Sequence, residues 1–170
     1  SAGTTGLRIY ERLGARDDIS LITLSDAERK DTAARRAALN EADIAFLCLP
    51  DAAAVEAVSL IDNDRTAVID TSTAHRVAPH FTYGFPELGG RREKIAASRR
   101  IANPGCHASG FLALIAPLVE GKLLSPDTRL SCFSLTGYSG GGKKMIAEYE
   151  SPDRSALLAA PRVYGLSQSH

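Results

Sequence analysis

Ile44-Ala45-Phe46-Leu47-Cys48-Leu49-Pro50 sets six apolar residues in a row and closes them with a proline. A run of that length without polar alternation suits a strand buried on both faces, and such strands belong to parallel sheets. Asp51 comes next, placed to cap a helix running through Ala52, Val55, Val58 and Leu60. Thr66-Ala67-Val68-Ile69-Asp70 then reads as a second short strand. Upstream, Ile19-Ser20-Leu21-Ile22-Thr23-Leu24 is rich in β-branched and apolar residues and also reads as a strand, and Ala33 to Leu39 lies in an Ala/Arg-rich stretch that favours helix. Strands that alternate with helices imply right-handed crossovers and an α/β architecture built on a parallel sheet.

The rhythm breaks over residues 71–94, where Pro79, Gly84, Pro86, Gly89 and Gly90 mark an ordered loop. Arg100-Ile101-Ala102-Asn103 resumes as a strand, and Cys106 to Val119 is a helical run stopped at Gly121. Arg129 to Leu135 alternates polar and apolar residues in the manner of a half-buried strand. It leads into a second glycine cluster, Gly137, Gly140, Gly141 and Gly142. A strand is expected ahead of Gly3, and partner strands for 129–135 are expected beyond His170, so the chain reads as incomplete at both ends.

Composition narrows the function classes. The 170 residues carry 20 Lys+Arg against 20 Asp+Glu, and with a pI near 6.9 they offer no broad basic field for a nucleic-acid backbone. Hydrophobic residues at 44% and charged residues at 24% fit a folded domain and argue against disorder. Apolar runs such as Phe111 to Val119, interrupted by Pro117, are too short to span a bilayer. Ser1-Ala2-Gly3 has neither a basic start nor an apolar stretch, which speaks against a signal peptide. Three scattered cysteines do not form a disulfide framework, so a reducing, cytoplasmic setting is expected.

The candidate sites lie at chain turns. Ala2-Gly3-Thr4-Thr5-Gly6-Leu7 opens a helix with apolar positions Leu7, Tyr10 and Leu13. A glycine turn at a helix start lets backbone N–H groups approach a pyrophosphate, and the Thr4 and Thr5 hydroxyls add donors; the bland alternative is a tight turn. After the expected strand 19–24, Ser25 with Arg29 and Lys30 suits the 2′-phosphate of NADP, while Asp26 keeps NAD open. Asn103-Pro104-Gly105-Cys106 brings the chain sharply into a helix, and a helix N-terminus favours a thiolate. Cys106 is therefore the best nucleophile candidate, whereas Cys48 and Cys132 sit in strand-like runs where a cysteine acts as a small hydrophobe. His107 comes directly after Cys106 and is expected to point elsewhere. Asp70-Thr71-Ser72-Thr73-Ala74-His75-Arg76 leaves the end of a strand, where ligands gather in open α/β sheets, and Arg76 suits a forked contact with a phosphate or carboxylate. Gly137 to Lys144 suits close approach to a phosphorylated ligand or a plain surface turn; its spacing is not that of a P-loop. No histidine pair has metal-ligand spacing, so no metal is expected.

Read in order, Ala2 to Gly6, Asp70 to Arg76, Tyr83-Gly84-Phe85-Pro86-Glu87-Leu88, Asn103 to Cys106 and Gly137 to Gly142 together resemble the N-acetyl-gamma-glutamyl-phosphate reductase family, and more distantly aspartate-semialdehyde dehydrogenases. The latter more typically show Asn-Cys with no Pro-Gly between. The resemblance implies a Rossmann-type dinucleotide-binding domain over 1–105 and the start of an α+β catalytic domain over 106–170. It makes Cys106 the nucleophile, Gly3 to Gly6 the pyrophosphate turn, Ser72 a neighbour of the cofactor, Arg76 with Asn103 a substrate anchor, and Ser139, Gly140 and Gly141 the lining of the nicotinamide end. The family's catalytic histidine falls at or just beyond His170. His107 stands where an aromatic residue is common, and Ala74-His75 replaces a more usual acidic-aromatic pair. The implied reaction is NADPH-dependent reduction of an acyl phosphate to an aldehyde through a cysteine thioester, in a homo-oligomer acting on a small molecule. A reductase of a different acyl phosphate and a nucleotide-binding module with an inert cysteine are the rival readings.

Overall fold

A computed structural model describes residues 4–164, with the side chains of Thr4, Thr5 and Leu7 outside the description. The expectations placed on Gly3, on the two threonine hydroxyls and on His170 therefore lie outside the described residues. Four parallel strands form one sheet: β1 (Ile44–Leu47), β2 (Ala67–Asp70), β3 (Thr82–Tyr83) and β4 (Arg100–Ala102), in the order β1-β2-β4-β3. The register pairs Phe46 with Ile69, Ile69 with Ile101, and Tyr83 with Ala102. Helices α1 (Thr4–Gly14), α2 (Thr32–Glu41), α3 (Asp51–Ser59), α4 (Arg91–Ala96), α5 (Cys106–Glu120) and α6 (Gly142–Glu150) complete the α/β architecture.

The strands lie where the apolar runs placed them, but β1 is not buried on both faces. Ala45 and Leu47 are buried whereas Ile44 and Phe46 are exposed, since β1 stands at the edge of the sheet and one of its faces is left uncovered among the described residues. Ala45, Leu47, Ala57, Val68, Phe81 and Ala102 make one buried cluster, with Leu39, Val58, Ile61 and Ala78 packed against it. Thr66 is fully buried at the mouth of β2, and its hydroxyl lies 3.1 and 2.9 Å from the carbonyls of Leu39 and Ala42. It thereby occupies carbonyls at the end of α2 that the helix itself leaves open. Every buried residue described lies at or before Ala102, so the core belongs to the sheet and not to the segment beyond it.

Several local expectations are corrected. Ile19 to Leu24 joins no ladder, and neither does Arg129 to Leu135. Strand character requires a neighbour to accept and donate backbone hydrogen bonds, and no strand flanks either segment among the described residues. Phe133 and Leu135 are in consequence more than 80% exposed. Asp51 is not the cap of α3: Pro50 holds that position, and Asp51 is the first helical residue, its carboxylate accepting from Thr73. Helix α5 ends at Gly121, yet Lys122 and not the glycine takes the left-handed backbone, at φ 57°. Leu123 N–H donates to the Leu118 carbonyl at 2.8 Å and Lys122 N–H to Val119 at 3.0 Å, the paired bonds of a Schellman ending. The 71–94 loop is ordered, as expected, but it encloses β3 and the start of α4.

Candidate active site

Three loops leave the carboxyl edge of the sheet side by side, after Leu47, Asp70 and Ala102. They are stitched together by backbone. Thr71 N–H donates to the Leu47 carbonyl at 3.0 Å, Asn103 N–H to Asp70 at 2.7 Å, and Gly84 N–H to Ala102 at 2.8 Å. Asp51, at the start of α3, accepts from Thr73 N–H at 2.9 Å and from the Thr73 hydroxyl. Ligands of open parallel sheets lie outside this edge, so the stitching fixes the geometry of the site itself.

Cys106 is the first residue of α5, with Gly105 extended ahead of it as the N-cap. Its thiol is free and exposed. Gly105 has no side chain to cap the helix, and the first helical bond runs from Ser109 N–H to the Gly105 carbonyl at 2.9 Å. The N–H groups of Cys106, His107 and Ala108 thus have no acceptor within the helix, and the helix turn that carries the thiol presents the positive end of its dipole. The thiol opens on a cavity of about 410 Å³ whose walls include Phe111, Leu114, Leu130, Cys132 and Ser134.

Arg76 meets the same turn from the other side. Its Nε donates to the Asn103 carbonyl at 3.3 Å and its Nη2 to the Thr71 carbonyl at 3.4 Å. Its guanidinium lies against the bare face of Gly105, where a Cβ would stand 2.9 Å from Nη1. Among the described residues it has no carboxylate partner, and its charge is held by the neutral carbonyls of Asn103 and Thr71. Asn103 itself is exposed, its side-chain amide donating to the Pro104 carbonyl at 3.2 Å.

Ser72 and His75 converge on Asp70. Ser72 N–H donates to Oδ1 at 2.9 Å, the Ser72 hydroxyl to Oδ2 at 2.7 Å, and His75 Nδ1 lies 2.6 Å from the same Oδ2. Asp70 is wholly buried and its two partners nearly so. The sequence placed Ser72 at a strand end but gave no reason to join His75 to Asp70. An i, i+5 pair across an irregular loop has no periodic signature; the legible hint was an aspartate in an otherwise apolar strand.

Ser25 and Arg29 share one turn. Ser25 N–H donates to Glu28 at 2.8 Å and Glu28 N–H to the Ser25 hydroxyl at 3.3 Å, a reciprocal arrangement of capping-box type that holds the Glu28 carboxyl below its usual range. Arg29 donates to the Leu24 carbonyl at 3.1 Å and to Asp26 at 3.0 Å. A hydroxyl and a half-exposed guanidinium on one tight turn are a donor set that fits a phosphate monoester, although Asp26 competes for the cation. Ser139, Gly140 and Gly141 form a single 3-10 turn, Tyr138–Gly141, ahead of α6. It is held by the Tyr138 hydroxyl on Glu150 at 2.9 Å, and it is not among the walls of the Cys106 cavity.

The other cysteines and histidines differ in part from expectation. Burial pushes the Cys48 thiol up, with a hydrogen bond from Thr71 opposing it, which agrees with a packed role. Cys132 is exposed and lines the Cys106 cavity, because its segment has no sheet to be buried in. His107 does not point away: it lines that cavity too, with Nδ1 2.5 Å from Ser134 Oγ and Nε2 buried without a partner. Among the described residues no group of His, Cys, Asp or Glu is gathered to hold a metal, and no helix is long and apolar enough to cross a membrane.

A parallel sheet with loops stitched at its carboxyl edge, followed by a helix that opens on an exposed thiol, fits a dinucleotide-binding domain joined to a further segment, and the chain belongs to the semialdehyde dehydrogenase family. Residues 5–98 match the semialdehyde dehydrogenase NAD-binding domain and residues 106–170 the semialdehyde dehydrogenase dimerisation domain. Its relatives include N-acetyl-gamma-glutamyl-phosphate reductases of Burkholderia lata, 52% identical, and Chelativorans sp., 53% identical, each over 99% of this chain. An N-acetyl-gamma-glutamyl-phosphate reductase 2 of Pseudomonas putida is 49% identical over the same share. The chain spans about half the length of these relatives, 53% and 54%. A crystal structure of aspartate semialdehyde dehydrogenase II from Vibrio cholerae shares the fold at a TM-score of 0.52 and 17% identity, covering 76% of this chain and 38% of that one.

Proposed function

We propose that this chain carries the cofactor domain and the nucleophile of an NADPH-dependent reductase that converts N-acetylglutamyl 5-phosphate to N-acetylglutamate 5-semialdehyde and phosphate. The observation that carries the reading is the lodging of the Arg76 guanidinium, without a carboxylate partner among the described residues, against Gly105, the residue that precedes the exposed Cys106. The relatives' names supply the substrate. Residues 1–105 then form the dinucleotide-binding domain and 106–170 the beginning of the catalytic domain. The reading extends to a cytoplasmic homo-oligomer, supported by the match to a dimerisation domain and by the exposed Leu114, Phe133 and Leu135.

The Cys106 thiolate attacks the acyl carbonyl, the sulfur–carbon bond forms, and inorganic phosphate leaves with the electron pair of the broken carbon–oxygen bond. The free N–H groups at the start of α5 receive the oxyanion of that addition, a role worth about 3–4 kcal/mol per donor. Arg76 holds an anionic group of the substrate, with Asn103 beside it, so that the carbonyl meets the sulfur. NADPH, when bound, supplies the hydride that takes the thioester to the aldehyde level. Ser25 and Arg29 hold its 2′-phosphate, Gly3 to Gly6 with Thr4 and Thr5 its pyrophosphate, Ser72 lies near the cofactor, and Ser139 to Gly141 line the nicotinamide end. The histidine that manages protons at the hemithioacetal is His170 or lies just beyond it.

The test uses a protein that carries this chain and extends over the length of its relatives. N-acetylglutamate semialdehyde, phosphate and NADP⁺ are supplied and NADPH absorbance is followed. Phosphate-dependent NADPH formation is expected, with loss of at least about a thousandfold in Cys106→Ser. Turnover of aspartate semialdehyde in its place would move the substrate; silence with both, despite cofactor binding, would leave a binding module.

A further inference from the structure

The Asp70 carboxylate is the one fully buried ionisable group among the described residues, and the proposed reaction does not use it. It sits at the last position of β2, fully inaccessible, and it receives three donors from its own adjoining loop: Ser72 N–H, the Ser72 hydroxyl and His75 Nδ1. An ionised carboxylate only accepts, so Nδ1 carries the proton in that contact. The imidazole is fixed on its other side by Phe81, stacked at 4.2 Å between centroids and within 14° of parallel, with His80 edge-on to both rings. A buried carboxylate is retained at a desolvation cost of several kcal/mol, and apolar replacements are commonly neutral or better for stability. Stability alone is a weak reason for this cluster.

Its position gives a better one. The Asp70 carbonyl accepts from Asn103 N–H at 2.7 Å, so the same residue anchors the loop that carries Arg76 and the loop that carries Cys106. Arg76 is the next residue after His75, and it touches that second loop at the Asn103 carbonyl and at Gly105. The arrangement is not a hydrolase triad, because Ser72 bonds the aspartate and not the imidazole.

We propose that His75, held between Asp70 and Phe81, is a positioning residue that sets the Arg76 guanidinium over Gly105 and so determines how the enzyme holds its anionic substrate. This rests on the reading of Arg76 as the substrate anchor. The requirement is a donor at the Nδ1 position together with a planar group against Phe81. Asparagine places an amide donor at the Nδ1 position. Glutamine places it at the Nε2 position, and phenylalanine keeps the ring without a donor.

The experiment measures kcat, KM for the acyl phosphate, KM for NADPH and thermal midpoint for His75→Asn, His75→Gln, His75→Phe, Arg76→Lys and the double variant His75→Phe/Arg76→Lys, in the protein of full relative length. A misplaced anchor raises KM for the acyl phosphate about tenfold to a hundredfold in His75→Phe and His75→Gln, with KM for NADPH unchanged. His75→Asn is expected to recover most of that loss. In the Arg76→Lys background the His75→Phe change adds nothing further, since both act on one contact. A lower thermal midpoint with an unchanged KM for the acyl phosphate would overturn the proposal, as would an effect of His75→Phe that persists in full beside Arg76→Lys. If His75→Phe does not fold, the contrast between Asn and Gln decides alone: equal KM values would overturn the proposal. An Arg76→Lys enzyme with the parental KM would refute the anchor reading itself, and the proposal would fall with it.

Discussion

Gly105 is required for a reason that has nothing to do with backbone freedom, since its φ of −75° is open to any residue. What it supplies is room. A Cβ there would meet Arg76 Nη1 at 2.9 Å and Cζ at 3.4 Å, but these atoms end a flexible side chain that can swing aside. Gly105→Ala is therefore expected to change stability by no more than about 0.5 kcal/mol while raising KM for the acyl phosphate about tenfold, as steady-state kinetics and urea melts on one preparation would show. The same pairing of residues was half legible in the sequence. Asn103-Pro104-Gly105-Cys106 marked the turn and offered Cys106 as the candidate nucleophile, and Arg76 stood out as a cation at a strand end. Their contact was not legible, because it joins residues 27 and 29 positions apart across two adjacent loops and depends on the order β1-β2-β4-β3. His75 lay further out of reach, for its partner is a buried carboxylate and its stacking ring, Phe81, belongs to an irregular stretch.

At the scale of elements, continuous apolar runs were good guides where a neighbouring strand exists and poor ones where none is described. Residues 44–47, 67–70 and 100–102 became β1, β2 and β4 because each has a partner in register. Segments 19–24 and 129–135 have comparable patterns and no partner strand among the described residues, which shows that a period-2 or apolar pattern specifies compatibility with a sheet, not membership of one. The short β3 shows the reverse: two residues with no pattern to speak of become a strand because β4 offers them an edge. That edge leaves little space, since a Cβ on Gly84 would stand 2.8 Å from Ile101 Cγ2 and 3.1 Å from the Ala102 carbonyl. Gly84→Ala is expected to cost about 1–3 kcal/mol of stability, read from the denaturant midpoint, because the atoms that must yield are a methyl on the branched Cβ of Ile101 and a backbone carbonyl, neither of which swings aside freely. An unchanged midpoint would mean that β3 is not held against β4 as described.

Across the whole molecule, burial and chemistry are divided. Every buried residue described belongs to the sheet region ending at Ala102, whereas the exposed thiol begins the segment after it. The sheet region supplies Asp70, His75 and Arg76; helix α5 supplies the proposed nucleophile and the N–H groups of its first turn. The central claim is that an acyl group passes to Cys106, and one measurement addresses it without any cofactor. Trypsin separates the three cysteines, leaving Cys106 in 101–122, Cys48 in 37–65 and Cys132 in 130–143. The protein of relative length is mixed with N-acetylglutamyl 5-phosphate in the absence of NADPH, quenched in acid, digested and weighed by mass spectrometry. Stoichiometric acylation of peptide 101–122, with release of an equal amount of phosphate and no adduct in Cys106→Ser, is the expected result. Phosphate release without an adduct, or an adduct on 37–65 or 130–143 instead, would contradict the assignment of Cys106 as the nucleophile.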